Sequence, residues 1–167
     1  DKNVRYLNLD EEEVDSMTGS KRLCMGSDHG GYELKEHIKS FFDELGVEYD
    51  DFGTFCEDCV DYPDIGLQVA KAVARGDYKR GLLFCGTGIG MSIIANKVEG
   101  IRAALCHDVF SARASREHND SNILVMGGRI IGKGLARLIV EEWLSTEFLG
   151  GRHERRIGKI ADYERNC

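Results

Sequence analysis

From Leu23 onward, short apolar runs alternate with stretches in which apolar residues recur every three or four positions. Leu23–Ser27 reads as a first strand. The helix after it carries Leu34, Ile38, Phe41, Phe42 and Leu45 at helical spacing and stops at Gly46. Val47–Phe52 is predicted as the second strand. A loop through Tyr62 and Pro63 leads into a helix with Ile65, Val69 and Val73 on one face, ended by Gly76. Gly81–Phe84 is the third strand, with a helix over Met91–Lys97. Arg102–Cys106 and Ile123–Met126 give strands four and five, each followed by a helix. The helix over Ile131–Ser145 has an apolar stripe of Leu135, Leu138, Ile139 and Trp143, and Arg152–Glu164 predicts one more short helix.

Repeated strand-helix units of this kind predict an α/β fold: a three-layer, doubly wound, five-stranded parallel sheet, Rossmann-like, with a C-terminal helical extension. Ligands of such sheets bind beyond the carboxyl ends of the strands, where the winding direction reverses. For a sheet beginning 2-1-3 that point lies between strands one and three. Topology then brings Ser27-Asp28-His29-Gly30-Gly31 close to Cys85-Gly86-Thr87-Gly88-Ile89-Gly90.

Composition bounds the class. The chain has 167 residues, 42% of them hydrophobic, and a single proline, which suits one domain over residues 21–167 with a real core. Residues 1–20 hold six acids against Lys2 and Arg5, and read as a flexible, solvated acidic extension. The net charge of −7 argues against a nucleic-acid surface. No run of 18 apolar residues and no charged-then-apolar leader is present, so neither a membrane partner nor secretion is expected, and the cytoplasm is the default setting. Cys24, Cys85 and Cys106 lie in or at the end of apolar runs, where free thiols are common. Cys56-Glu57-Asp58-Cys59 has the spacing of a metal knuckle or redox pair, yet no second such pair and no paired histidines complete a zinc set, so no metal is expected.

The chemistry concentrates around Cys85. Three glycines at alternate positions, Gly86, Gly88 and Gly90, let the backbone turn several N–H groups toward one negatively charged atom. A thiolate in that field is stabilised, so Cys85 can serve as base or nucleophile. Asp28 and His29 can accept from or donate to hydroxyls and a phosphate. His118 and Asn119 end the helix before strand five, and His107, directly after strand four, rivals His118 as an acid or base. Arg152 and Arg156, four apart on a helix, face one way and suit a phosphate, with Arg129 a further anion contact.

Together, Ser27-Asp28-His29-Gly30-Gly31, Asp61-Tyr62-Pro63-Asp64, Cys85-Gly86-Thr87-Gly88-Ile89-Gly90 with Ala95-Asn96-Lys97, Arg116-Glu117-His118-Asn119-Asp120 and Gly151-Arg152-His153 resemble the ribose-5-phosphate isomerase B family. The resemblance runs in order from about Leu23 to Glu164. It implies an aldose-ketose isomerase that interconverts ribose 5-phosphate and ribulose 5-phosphate through an enediolate. Galactose 6-phosphate and allose 6-phosphate isomerases belong to the wider family and are the alternative. By the same resemblance Cys85 is the base, His118 assists ring opening and Thr87 polarises the open-chain sugar. The amides of Gly86 through Gly90, including Gly88 and Ile89, face the oxyanion; Asp28, Tyr62 and Asn119 meet the sugar; His29, Arg129, Arg152 and Arg156 hold the phosphate. No cofactor is implied. A homodimer or homotetramer is, with His118, Asn119 and Arg129 reaching the active site from a partner subunit.

Other readings compete. Gly86-Thr87-Gly88 before a helix, with Asp108 about twenty residues on, approaches a dinucleotide fingerprint, but the third glycine falls one place early at Gly90 and Met91 stands where a small residue is required. A cysteine phosphatase loop would close on an arginine, and none lies between Cys85 and Lys97.

Overall fold

The computed structural model describes residues 23–166; the acidic stretch 1–20 lies outside the described residues. The elements follow in the order β1 (Leu23–Ser27), α1 (Tyr32–Leu45), β2 (Tyr49–Asp51), α2 (Tyr62–Ala74), β3 (Gly81–Cys85), α3 (Ile89–Ala95), β4 (Ala103–Leu105), α4 (Val109–Asn119), β5 (Ile123–Gly127), α5 (Lys133–Ser145) and α6 (Arg152–Arg165). All five strands are parallel, in the order β2-β1-β3-β5-β4.

β1, β3 and β5 are buried along their whole length, which is why their sequences are almost unbroken apolar runs. Alternate residues feed two cores. Leu23, Met25, Leu82, Phe84, Leu124 and Met126 face α1 and α5, where Phe42 and Trp143 pack. Cys24, Leu83, Cys85, Ile123 and Val125 face α2 and α3, against Val69 and Met91. The period of two in a strand therefore decides that Cys85 points to the α2/α3 side.

The two outer strands are shorter than the patterning predicts. β2 and β4 span three residues each, not Val47–Phe52 and Arg102–Cys106, because an outer strand has a ladder on one side only. Val47 and Cys106 still enter the core, from the connections. Helices α3 and α5 are also displaced by about two residues from the predicted starts, to Ile89 and Lys133. Trp143 is fully buried, its Nε1 donating to Ser121 Oγ at 2.7 Å, with the Arg80 and Arg116 guanidinium groups over the ring at 5.4 and 5.9 Å from its centroid. No helix among the described residues is long and apolar enough to cross a membrane.

Candidate active site

Cys85 ends β3, and its carbonyl accepts from Gly128 N at 2.8 Å while Gly127 pairs with it in the ladder. The chain then turns sharply. Gly88, at φ +79, takes a conformation that costs an L side chain, and that turn brings its own N–H back to Cys85 Sγ at 3.1 Å. Cys85 is buried, with 4% of its surface exposed. Thr87 stands outward, its Oγ1 accepting from Ile89 N at 3.3 Å. The loop thus offers a thiol, a set of backbone amides and an exposed hydroxyl within one turn.

The β1–α1 turn meets this loop, as the predicted reversal between strands one and three requires. Asp28 N donates to Phe84 O at 3.2 Å. Gly31 passes so close to β3 that a Cβ there would stand 2.4 Å from Phe84 C, so only glycine permits the approach. Asp28 is buried, with Oδ1 accepting from Gly31 N at 3.0 Å; one oxygen therefore shapes the turn. His29 Nδ1 accepts from Val60 N at 3.4 Å, which ties it to the loop before α2. Tyr62, the first residue of α2, lays its ring against Gly90: a Cβ on that glycine would meet ring atoms at 2.6 to 3.0 Å.

Arg129 belongs to the same cluster. Its N–H donates to Gly86 O at 2.9 Å, and its Nη1 lies 3.2 Å from where a Gly86 Cβ would be. The expectation that Arg129 arrives from a partner subunit is corrected by this contact: β3 and β5 are neighbours, so the loops that follow them meet within one chain. Beside them opens a cavity of about 540 Å³ whose polar lining is His29, Glu33, Glu57, Arg129 and Lys133, with Lys133 and Glu33 paired at 2.8 Å.

His118, Asn119, Arg152 and Arg156 stand elsewhere. α4 runs back from the exit of β4, and Asn119 O accepts from Arg102 Nε at 2.9 Å, beside the entrance of β4. Cys85 is at the exit of β3, so about 13 Å of sheet length separates the two groups in one chain. The His118 ring stacks on His153, centroids 4.4 Å apart and planes 11° from parallel. His153 is the residue sequence reasoning missed; it sits in the Gly151-Arg152-His153 motif, but nothing in that spacing announces the stack. Burial and the neighbouring His118, Arg152 and Arg156 together hold the His153 imidazole below its ordinary titration range. Arg152 and Arg156 are exposed on the first turns of α6, four apart and hence on one face.

His107 is nearer to Cys85, yet it is committed to the backbone. Its Nε2 accepts from Gly127 N at 3.0 Å, and desolvation lowers its tendency to protonate. The dinucleotide reading also loses its acid. Asp108 caps α4, accepting from Ser111 N at 2.7 Å and Ser111 Oγ at 2.7 Å, and β5 stands between β3 and the end of β4. Among the described residues no group of three metal-binding side chains forms.

The ribose/galactose isomerase family model matches residues 23–160, which is most of the chain and every motif above. The chain belongs to the ribose/galactose isomerase family. Among solved relatives of this isomerase, ribose-5-phosphate isomerase B of Clostridium thermocellum is 54% identical, with a TM-score of 0.85 over 87% of this chain and 98% of that one. The Mycoplasma genitalium ribose-5-phosphate isomerase B, solved with bound ribulose-5-phosphate, is 37% identical, with a TM-score of 0.85 over 89% of this chain and 99% of that one. Ribose-5-phosphate isomerase B of Escherichia coli is 46% identical over 144 residues, 86% of this chain and 97% of its own.

Proposed function

We propose that this isomerase interconverts ribose 5-phosphate and ribulose 5-phosphate, with Cys85 as the base. One observation carries the reading: a thiol at the carboxyl end of a central strand accepts an N–H from the glycine loop that follows it, at 3.1 Å, with Asp28, His29, Thr87, Tyr62 and Arg129 gathered around that loop. Aldose-ketose isomerisation needs a base that takes the C2 proton and returns it to C1, and donors waiting where the C1–C2 oxygens gain charge. Cys85 supplies the first and the amides of Gly86 to Gly90 the second. Thr87 polarises the open-chain sugar and Asp28 and Tyr62 meet its hydroxyls. His29 and Arg129 hold the phosphate, whose binding energy fixes the reacting carbons.

The reading includes a homodimer. Ring opening by His118, sugar contact by Asn119 and phosphate contact by Arg152 and Arg156 require these side chains at the Cys85 loop, and the sheet separates them from it within one chain. A two-fold pair that sets the α4/α6 end of one copy against the Cys85 end of the other satisfies both ends at once. A reducing, cytoplasmic setting fits the five described cysteines, all of which are free thiols.

The deciding assay follows ketose formation from ribose 5-phosphate beside galactose 6-phosphate and allose 6-phosphate. The five-carbon sugar should give the highest kcat/KM. Cys85→Ala should lower kcat about a thousandfold with KM little changed; turnover that survives in this variant ends the role of Cys85 as the base.

A further inference from the structure

Cys56 and Cys59 take no part in the chemistry above, yet they stand in the loop that holds His29. The loop has fixed ends. On one side Gly53 and Thr54 are pinned to β1, with Ser27 N donating to Gly53 O at 2.6 Å and Thr54 N to Ser27 O at 2.7 Å, and buried Lys35 donates to Thr54 O at 2.7 Å. On the other side α2 begins at Tyr62, seated on Gly90. Between these anchors both cysteines are exposed free thiols. The chain bends at Cys56, Glu57 and Asp58 in succession. Cys56 Sγ donates to Asp58 Oδ2 at 3.5 Å, a bond that closure would replace, and a disulfide closes once the two Cα atoms stand within about 7 Å.

The other described thiols are unsuited to oxidation. Cys24 and Cys106 are buried, and desolvation pushes their thiols up to about 12 and about 11. Cys85 is enclosed at 4% exposure. A metal role for the pair finds no third ligand among the described residues.

We propose that Cys56 and Cys59 form a reversible disulfide that weakens sugar-phosphate binding through His29. The oxidant is a low-molecular-weight disulfide. One cysteine thiolate attacks it, forming a mixed disulfide and expelling one small thiolate; the second cysteine then attacks the protein sulfur and expels the other. The two protein thiols lose two electrons and two protons, and the small disulfide leaves as two thiols. Closure of the ring draws in Cys59, whose neighbour Val60 supplies the N–H bonded to His29 Nδ1, and turns Glu57, which lines the cavity with His29 and Arg129.

The effect on turnover rests on the isomerase reading, whereas the linkage and its effect on His29 do not. The full-length protein, reduced and then equilibrated with increasing oxidised glutathione, is digested and weighed, and assayed with ribose 5-phosphate. The expected result is a peptide carrying an internal Cys56–Cys59 link, two mass units lighter than its reduced form. KM should rise about tenfold with kcat retained, dithiothreitol should reverse both changes, and Cys59→Ser should show neither. Glutathione adducts without the internal link, or a link that leaves KM unchanged, overturn the proposal. Reduced protein that turns over no sugar phosphate sinks the isomerase reading instead. The Val60 amide resonance, which reports its bond to His29, then decides the gating: it moves on oxidation if the proposal holds and stays if it fails.

Discussion

His118 and His153 lie face to face at 4.4 Å, so a proton on His118 disfavours one on His153. Lowered protonation of His153 in the folded chain has a definite sign. The unfolded chain, with imidazoles near 6.5, binds more protons than the folded one over the interval below that value, so stability falls as pH drops through it. His37 and His107 are lowered by burial and act in the same direction. The urea midpoint should decline from pH 7 to pH 5, and His153→Phe, which keeps a flat ring under His118, should decline less. An identical decline in the variant would assign the effect to other groups.

Gly88 is the pivot of the Cys85 loop. Alanine there keeps φ +79 only at a cost of about 1 to 2 kcal/mol, and its Cβ would stand 2.4 Å from Leu105 Cδ1 and 3.1 Å from Met126 C. Gly88→Ala should lower Tm by about 3 to 6 °C. Isomerase activity should fall at least tenfold at a temperature where the variant is fully folded, because the N–H to Cys85 is displaced. Circular dichroism and the sugar-phosphate assay separate the two losses.

Lys35 is a buried cation with two jobs, donating to Asp51 Oδ2 at 2.6 Å and to Thr54 O at 2.7 Å. Burial alone would raise the Asp51 carboxyl, but bonds from Lys35, Lys39 and Gly53 N outweigh it and hold it below its ordinary value. Lys35→Met strips away the main partner and should cost about 3 kcal/mol, measured by urea unfolding at pH 7. The cost should shrink in acid as Asp51 protonates, since the stability it contributes is lost as pH falls through its folded value.

Separation of Cys85 from His118 along the sheet makes a mixing experiment decisive. Cys85→Ala and His118→Ala homodimers should each be nearly inactive. Unfolded together and refolded, they should recover about a quarter of wild-type activity, because half of the dimers are mixed and each carries one intact site. No recovery would show that the two residues do not meet across a subunit boundary.

The order of elements and the place of Cys85 were readable from the chain because β1, β3 and β5 are buried on both faces and their apolar runs are nearly unbroken. β2 and β4 were overextended, since Val47 and Cys106 are core residues in connections and apolar pattern alone cannot tell a paired residue from a merely buried one. The meeting of Asp28, Gly31 and Cys85 followed from winding order. Arg129 was assigned to the wrong chain because sequence gives no neighbour for β5, and its position beside β3 is a matter of strand order alone. The His118–His153 stack was invisible for a similar reason: it joins α4 to α6 across a contact that no local spacing encodes.

Trp143 is the single tryptophan of the chain, packed against Arg80 and Arg116 with its indole N–H bound to Ser121. Its fluorescence therefore comes from one place, the junction of α4, α5 and the start of β5. Any event that loosens the α4 end of the molecule shifts that emission to the red, whereas rearrangement confined to the Cys85 loop leaves it unchanged. The protein carries its own optical gauge for one of its two ends.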